Sequence, residues 1–284
     1  MSVSQKETVS MTSKQHYGKD LRGSAPENYE QFFVPVIGKP LARELVDLAR
    51  LRAGERVLDV ACGTGIGARL AAERVGSSGA VVGIDVNPGM LAVARTVSKS
   101  NGLSIEWYES AAETLPLPDN SFDAVLCNLS LQFFQDKPAA VREMWRVAAR
   151  DGRVLIGVPG KISPVFVTMA DALATHIAPE LAGFVHQVFS LYDPDELERL
   201  LTGAGFREVR IFSEPRTLRL PAPKEFLWQY VNSTPMAQAL NGASDESLAA
   251  VEQDVVAAWQ AFVEDDTFMY PQDIILATAH KILA

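Results

Sequence analysis

The run Arg56-Val57-Leu58-Asp59-Val60-Ala61-Cys62-Gly63-Thr64-Gly65-Ile66-Gly67 constrains the fold of this chain more than any other stretch. Val57, Leu58 and Val60 read as a short buried strand with Asp59 at its acidic end. Gly63 and Gly65 then open a turn in which the missing Cβ permits unusual backbone geometry and close approach of a ligand. Leu70, Ala71 and Val75 fall on one helical stripe that stops before Gly76-Ser77-Ser78-Gly79. A second strand, Ala80-Val81-Val82-Gly83-Ile84, runs into Asp85. That carboxylate lies about 20 residues past the turn, where nucleoside-binding folds keep an acceptor for ribose hydroxyls. Asp59 and Asp85 are thus expected to flank one crevice that takes an adenosine-bearing ligand.

Gly63-x-Gly65-x-x-Ala68 also satisfies the dinucleotide fingerprint, which leaves a nicotinamide dinucleotide open as the ligand. Asp59 weighs against it. A diphosphate facing that carboxylate would be repelled, and phosphates favour a helix N-terminus with no acid opposite. A sulfonium amino acid instead brings an ammonium group and a positive sulfur, so the acidic strand end favours S-adenosylmethionine over NAD.

Four stretches carry a family resemblance. They are Val57 to Gly65; Val82-Gly83-Ile84-Asp85-Val86-Asn87-Pro88-Gly89-Met90-Leu91; Ser110 to Asp123; and Phe122 to Phe134. The chain resembles the class I S-adenosylmethionine-dependent methyltransferases, of the broad branch containing ubiquinone and menaquinone biosynthesis enzymes. The resemblance implies a cofactor site of Asp59, Ala61, Gly63, Gly65, Asp85, Val86, Met90, Ala111, Ala112 and Asn128. Asp85 would take the ribose hydroxyls, Val86 and Met90 would border the adenine, and the Ala112 amide would meet its edge. Two departures stand out: Ala61 replaces the motif's first glycine, and Ala111 stands where relatives often carry an acid. The stretch ending at Asn128 lacks the Asn/Asp-Pro-Pro-Tyr/Phe tetrapeptide of nucleobase-amine methylases, so Asn128 reads as a cofactor or loop contact. The likeness covers residues 29 to 157 well and thins afterwards.

Composition narrows the partners. The formal net charge of −9 gives no counterion-release attraction to nucleic acid, and the arginines at 207, 210, 216 and 219 are interspersed with Glu208 and Glu214. Two cysteines, Cys62 and Cys127, supply neither a disulfide framework nor a metal-ligand set. No apolar run approaches the roughly 20 residues needed to cross a bilayer. The polar start lacks a signal-peptide pattern and reads as a mobile arm over residues 1–28 of a cytoplasmic protein. A homodimer stays open.

The remaining periodicity predicts an α/β fold: a seven-stranded, mostly parallel, doubly wound sheet with helical cap insertions. Residues 29–284 read as a single methyltransferase domain. Ile105 to Tyr108, Val125 to Asn128 and Arg153 to Val158 continue the sheet, Phe206 to Phe212 alternates as a strand, and Asp273 to Ala279 reads as the last. Cap segments are expected near 160–192 and 214–268, where they would cover the crevice and select the substrate.

Methyl transfer from a sulfonium demands alignment and exclusion of water more than acid–base machinery. An oxygen or nitrogen acceptor can still need a base, for which histidine suits neutral pH. His186, in the apolar run Gly183 to Phe189, is the stronger candidate; a core histidine bonded to a carbonyl is the commoner role for such a residue. His16 would serve if the arm folded over the cofactor. Gln132, directly after the fourth strand, is placed to bond the substrate while Phe133 or Phe134 lines an apolar wall. Tyr17, Tyr29 and Tyr230 are further candidates to orient a hydroxyl, against the usual role of such rings as packing. The expected activity is methylation of oxygen or carbon on a small apolar or aromatic metabolite. The competing readings are an NAD-dependent oxidoreductase and a cofactor-binding protein without transfer activity.

Overall fold

The computed structural model describes residues 25–240 and 242–282. His16 and most of the expected arm lie outside them. Its last four residues do not behave as an arm: α1 (Ala25–Asn28) is helical with Ala25 and Pro26 buried, and the Asn28 amide donates to the Asn232 carbonyl at 3.2 Å. The chain continues through a wide π-helical segment, Tyr29–Gly38, into α2 (Lys39–Ala49). Pro35 inside that segment lacks the amide a regular turn requires.

Strands and helices then alternate as β1 (Arg56–Val60), α3 (Ile66–Val75), β2 (Ala80–Asp85), α4 (Pro88–Ser100), β3 (Glu106–Glu109) and β4 (Phe122–Asn128). They continue with α5 (Lys137–Val147), β5 (Ala148–Pro159), α6 (Pro164–His176), α7 (Glu180–Val188), α8 (Pro194–Ala204) and β6 (Arg207–Leu220). The chain ends with α9 (Pro223–Asn232), α10 (Met236–Leu240), α11 (Asp245–Trp259), β7 (Val263–Glu264) and β8 (Thr267–His280). The sheet order is β3-β2-β1-β4-β5-β8-β6, with the two-residue β7 beside β8. The first five strands in that order pair in parallel, and β8 is antiparallel to both neighbours. Seven principal strands, mostly parallel, match the expected sheet, and the chain reverses its direction of progress between β1 and β4. In an open α/β sheet a crevice forms at that switch point.

Alternation in β1 sends Val57 to one face and Leu58 to the other, into two separate apolar cores. Caps fix the helices that frame the crevice: the Asn87 side chain accepts from the Gly89 and Met90 amides ahead of α4, and Asp136 accepts from Ala139 ahead of α5. At the opposite end of the sheet, Arg153 joins α2 to β5. It donates to the Ala49 carbonyl at 2.7 Å, to both Glu55 oxygens at 3.1 and 2.7 Å, and to the Asp123 carbonyl at 3.2 Å.

The last two long strands differ from expectation. β6 and β8 each run 14 residues, and their pairing continues through Arg216↔Gln272 to Leu220↔Phe268. The second cap segment therefore begins after Leu220 rather than at 214, and it consists of α9, α10 and α11. Pro215 and Pro271 obscured this in the sequence; β6 is an edge strand, where a missing amide is tolerated. α6 and α7 fall within residues 160–192. Among the described residues no helix is long and apolar enough to cross a membrane.

Candidate functional site

The turn after β1 is built on left-handed backbone. Ala61, Gly63 and Gly65 have φ of 54°, 56° and 84°. An alanine at such a φ is strained by about 1–2 kcal/mol, which accounts for glycine at this place in the related motif. Gly65 precedes α3, a Cβ on it would run into the Trp107 ring, and it is not among the described residues that line the cavity.

Two carboxylates converge on the turn. Asp85 accepts from the Gly63 amide at 2.7 Å and from the Asn87 amide at 2.8 Å. Asp59 lies under α3, so close to Gly67 that a Cβ there would be 2.7 Å from its Oδ2. Burial pushes the Asp59 carboxyl up to about 7; the Ala68 amide and Arg69 oppose the rise, and the charge of Asp85 adds to it. Asp85 is raised to about 6 by burial, against the amides of Asn87, Gly63 and Val86.

A single cavity of about 570 Å³ opens from this turn. Asp59, Ala61, Gly63, Asp85, Val86 and Met90 line it, joined by Ala111, Ala112 and Asn128. Nine of the ten expected cofactor residues thus border the same cavity, and Gly65 is the exception. An aromatic group, Phe33, Phe133, Phe166, Phe184, Tyr230 and Tyr270, borders it too. Phe226 and Met169 of the cap helices are buried in the core and do not line it, and Trp228 Nε1 donates to Glu252.

Gln132 lines the cavity. Its amide nitrogen donates to the Leu129 carbonyl at 3.0 Å, and its Oε1 is buried with no partner among the described residues. His186 does not reach the cavity. In α7 the inward stripe is Leu181, Phe184, Val185 and Val188, and His186 falls on the exposed face between them. Helical geometry that points Phe184 and Val188 at the cavity turns His186 away. His176 is paired with Asp254 at 2.6 Å and ties α6 to α11.

Sequence reasoning missed Tyr270 and Gln272, both on the cavity wall. Their signal was a period of two: Phe268, Tyr270, Gln272 and Ile274 are buried in alternation with more exposed residues. Starting the strand at Asp273 cut that pattern off.

A carboxylate at the end of each of the first two strands, a left-handed glycine cradle and the absence of any Lys, Arg or His among the described lining residues suit a cationic nucleoside better than a diphosphate. Comparison with known proteins agrees. Residues 58–156 match a family described as a methyltransferase domain. The chain is 33% identical over 187 residues to the ubiquinone/menaquinone biosynthesis C-methyltransferase UbiE of Cronobacter sakazakii, covering 60% of this chain and 74% of that enzyme. It is 34% identical over 176 residues to the demethylmenaquinone methyltransferase of Thermus thermophilus, covering 58% and 80%. The crystal structure of YcgJ from Bacillus subtilis shares the fold with a TM-score of 0.59 at 23% identity, over 86% of this chain and 99% of that one. So does phosphoethanolamine N-methyltransferase 2 of Haemonchus contortus in complex with S-adenosyl-L-methionine, with a TM-score of 0.60 at 19% identity, over 91% and 57%. Relatives of that similarity, spanning that much of their length, make this chain a member of the class I S-adenosylmethionine-dependent methyltransferases, in the branch of the ubiquinone and menaquinone C-methyltransferases.

Proposed function

We propose that the chain, acting in the cytoplasm, methylates a carbon of an uncharged, hydroxylated aromatic ring carrying apolar substituents, a quinol-like small molecule. One observation carries this: the turn with its two carboxylates and a group of aromatic side chains line the same cavity. In this reading Asp85 binds the ribose hydroxyls, Val86 and Met90 border the adenine, the Ala112 amide meets its edge, and Asp59, Ala61, Gly63 and Asn128 surround the methionine end. S-adenosylmethionine supplies a methyl group on an already activated thioether leaving group. The protein's part is to align the ring carbon with that methyl group and to exclude water. Phe133, Phe166 and Phe184 supply the apolar walls that do both. An electron-rich ring carbon fits a wall whose described members include no histidine, since carbon attack can precede proton loss.

The test is turnover. Incubation with S-adenosylmethionine and a chemically reduced naphthohydroquinone bearing an apolar chain is expected to yield S-adenosylhomocysteine and a ring-methylated product by mass spectrometry. Tight cofactor binding with no S-adenosylhomocysteine formed from this or related quinols would overturn the acceptor assignment.

Two raised carboxyls make cofactor binding pH-dependent. Burial raises the Asp59 and Asp85 carboxyls to about 7 and about 6, above the usual carboxylate range near 4. Between those limits the folded state holds more protons than the unfolded one, so the stability these groups contribute is full at low pH and is lost as pH rises through 6 and 7. A cationic ligand prefers the ionised pair. S-adenosylmethionine affinity is therefore expected to strengthen from about pH 5 to about pH 8, with proton release on binding near pH 6. Calorimetric titration in two buffers of different ionisation enthalpy measures both. An affinity flat across that range would remove the two carboxylates from the ligand's surroundings.

A further inference from the structure

Three tyrosines border the cavity, and their hydroxyls are committed differently. Tyr270 donates to Gln272 Oε1 at 2.5 Å, while the Gln272 amide is held by the carbonyls of Lys161 and Asp273 at 3.0 and 2.8 Å. The Tyr270 proton already has an acceptor. Tyr230, on α9, is different. It is 4% exposed, its ring is packed against Phe33, Phe166 and Phe226 at centroid distances of 6.2, 4.9 and 5.8 Å, and it lines the cavity.

Among the described residues the Tyr230 hydroxyl has no hydrogen-bond partner, although it lies near enough to Tyr29 and Tyr270 to influence both electrostatically. A phenol that lines the cavity and bonds no described protein group keeps its donor for a ligand. Burial raises the Tyr230 phenol above its ordinary range, so at neutral pH it is a neutral donor. The charged members of the described cavity wall are Asp59, Asp85, Glu113 and Asp136, all acidic. A phosphate or carboxylate brought to Tyr230 would find no cation to offset its desolvation. The complementary group is an uncharged oxygen on a ring.

We propose that Tyr230 is a specificity-determining residue, its hydroxyl donating to an uncharged ring oxygen of the methyl acceptor and so fixing which edge of that ring faces the cofactor. The assignment rests on the methyl-transfer reading of the same cavity. Tyr29, whose ring edge would lie 3.9 Å from a Cβ on Gly63, borders the same cavity at the glycine turn.

The test separates the hydroxyl from the ring that carries it. Protein loaded with S-adenosylhomocysteine is titrated with two probes, naphthohydroquinone kept reduced and naphthalene, which has the same ring system without oxygen. In Tyr230→Phe, S-adenosylhomocysteine affinity is expected to stay unchanged, naphthohydroquinone affinity to fall about tenfold, and naphthalene affinity to hold within about twofold. Tyr270→Phe is expected to leave the ratio of the two probes at its wild-type value. A loss shared equally by both probes in Tyr230→Phe would reduce Tyr230 to packing and overturn the proposal, as would an unaltered ratio. If the wild-type complex binds S-adenosylhomocysteine but neither probe, the aromatic acceptor class fails and this assignment fails with it.

Discussion

Replacing Asp85 by alanine is expected to weaken S-adenosylhomocysteine binding by about a hundredfold, read by calorimetric titration. The size of the effect follows from two tasks performed by one side chain. Asp85 Oδ2 accepts from Gly63 and Oδ1 from Asn87, so the carboxylate braces the left-handed turn from below and holds the start of α4. An ionised carboxyl has acceptor sites left over after two such bonds, and these are free for vicinal hydroxyls. Alanine removes both the brace and the acceptor. Asp85→Asn keeps the shape and one acceptor oxygen but loses the charge, and it should fall between alanine and wild type. An alanine variant that binds as tightly as wild type would detach Asp85 from the cofactor.

Arg153→Ala is expected to cost about 3–5 kcal/mol of folding stability, because it breaks a largely buried ion pair and leaves one partner behind. The side chains of Arg153 and Glu55 are each 16% exposed. Burial by itself would raise the Glu55 carboxyl; hydrogen bonds from Arg153 and the Arg52 amide outweigh it and hold the group below its usual range. A depressed carboxyl stabilises the fold above its unfolded pKa, and that contribution is lost as pH falls. The deficit of the variant should therefore be largest at neutral pH and narrow below about pH 4. Thermal or urea unfolding at both pH values measures it. A variant within about 1 kcal/mol of wild type at neutral pH would mean that water replaces the guanidinium at the Ala49 and Asp123 carbonyls.

What the sequence disclosed, and what it hid, divides by the range of the interaction concerned. The β1 turn and the acids Asp59 and Asp85 at the strand ends are set by neighbours within a few residues, so pattern and spacing suffice to read them. Gly65 was legible as a glycine but not as the one that admits Trp107, because that ring arrives from β3. His186 looked promising on an apolar background; only the orientation of α7, set by Phe184 and Val185 entering the core, turns it outward. Tyr270 and Gln272 were hidden because Pro271 interrupts the strand's composition, though not its pairing on an antiparallel edge. α1 reads as part of a tail because a partner that holds it is remote in sequence: the Asn28 side chain bonds the Asn232 carbonyl, 204 positions away.

The two long strands at the end of the sheet also bear on how such an enzyme changes its substrate. The cap helices leave β6 beside the very residue to which the chain returns in β8, Leu220 opposite Phe268. Everything between is, topologically, an elongated hairpin loop whose ends are already fastened, so lengthening it adds little to the entropy of closure. Evolution can exchange that loop, and with it the residue at Tyr230, without rethreading the nucleotide half. Grafting loops between relatives at this one junction is the corresponding route for an engineer who wants a new acceptor on an old donor site.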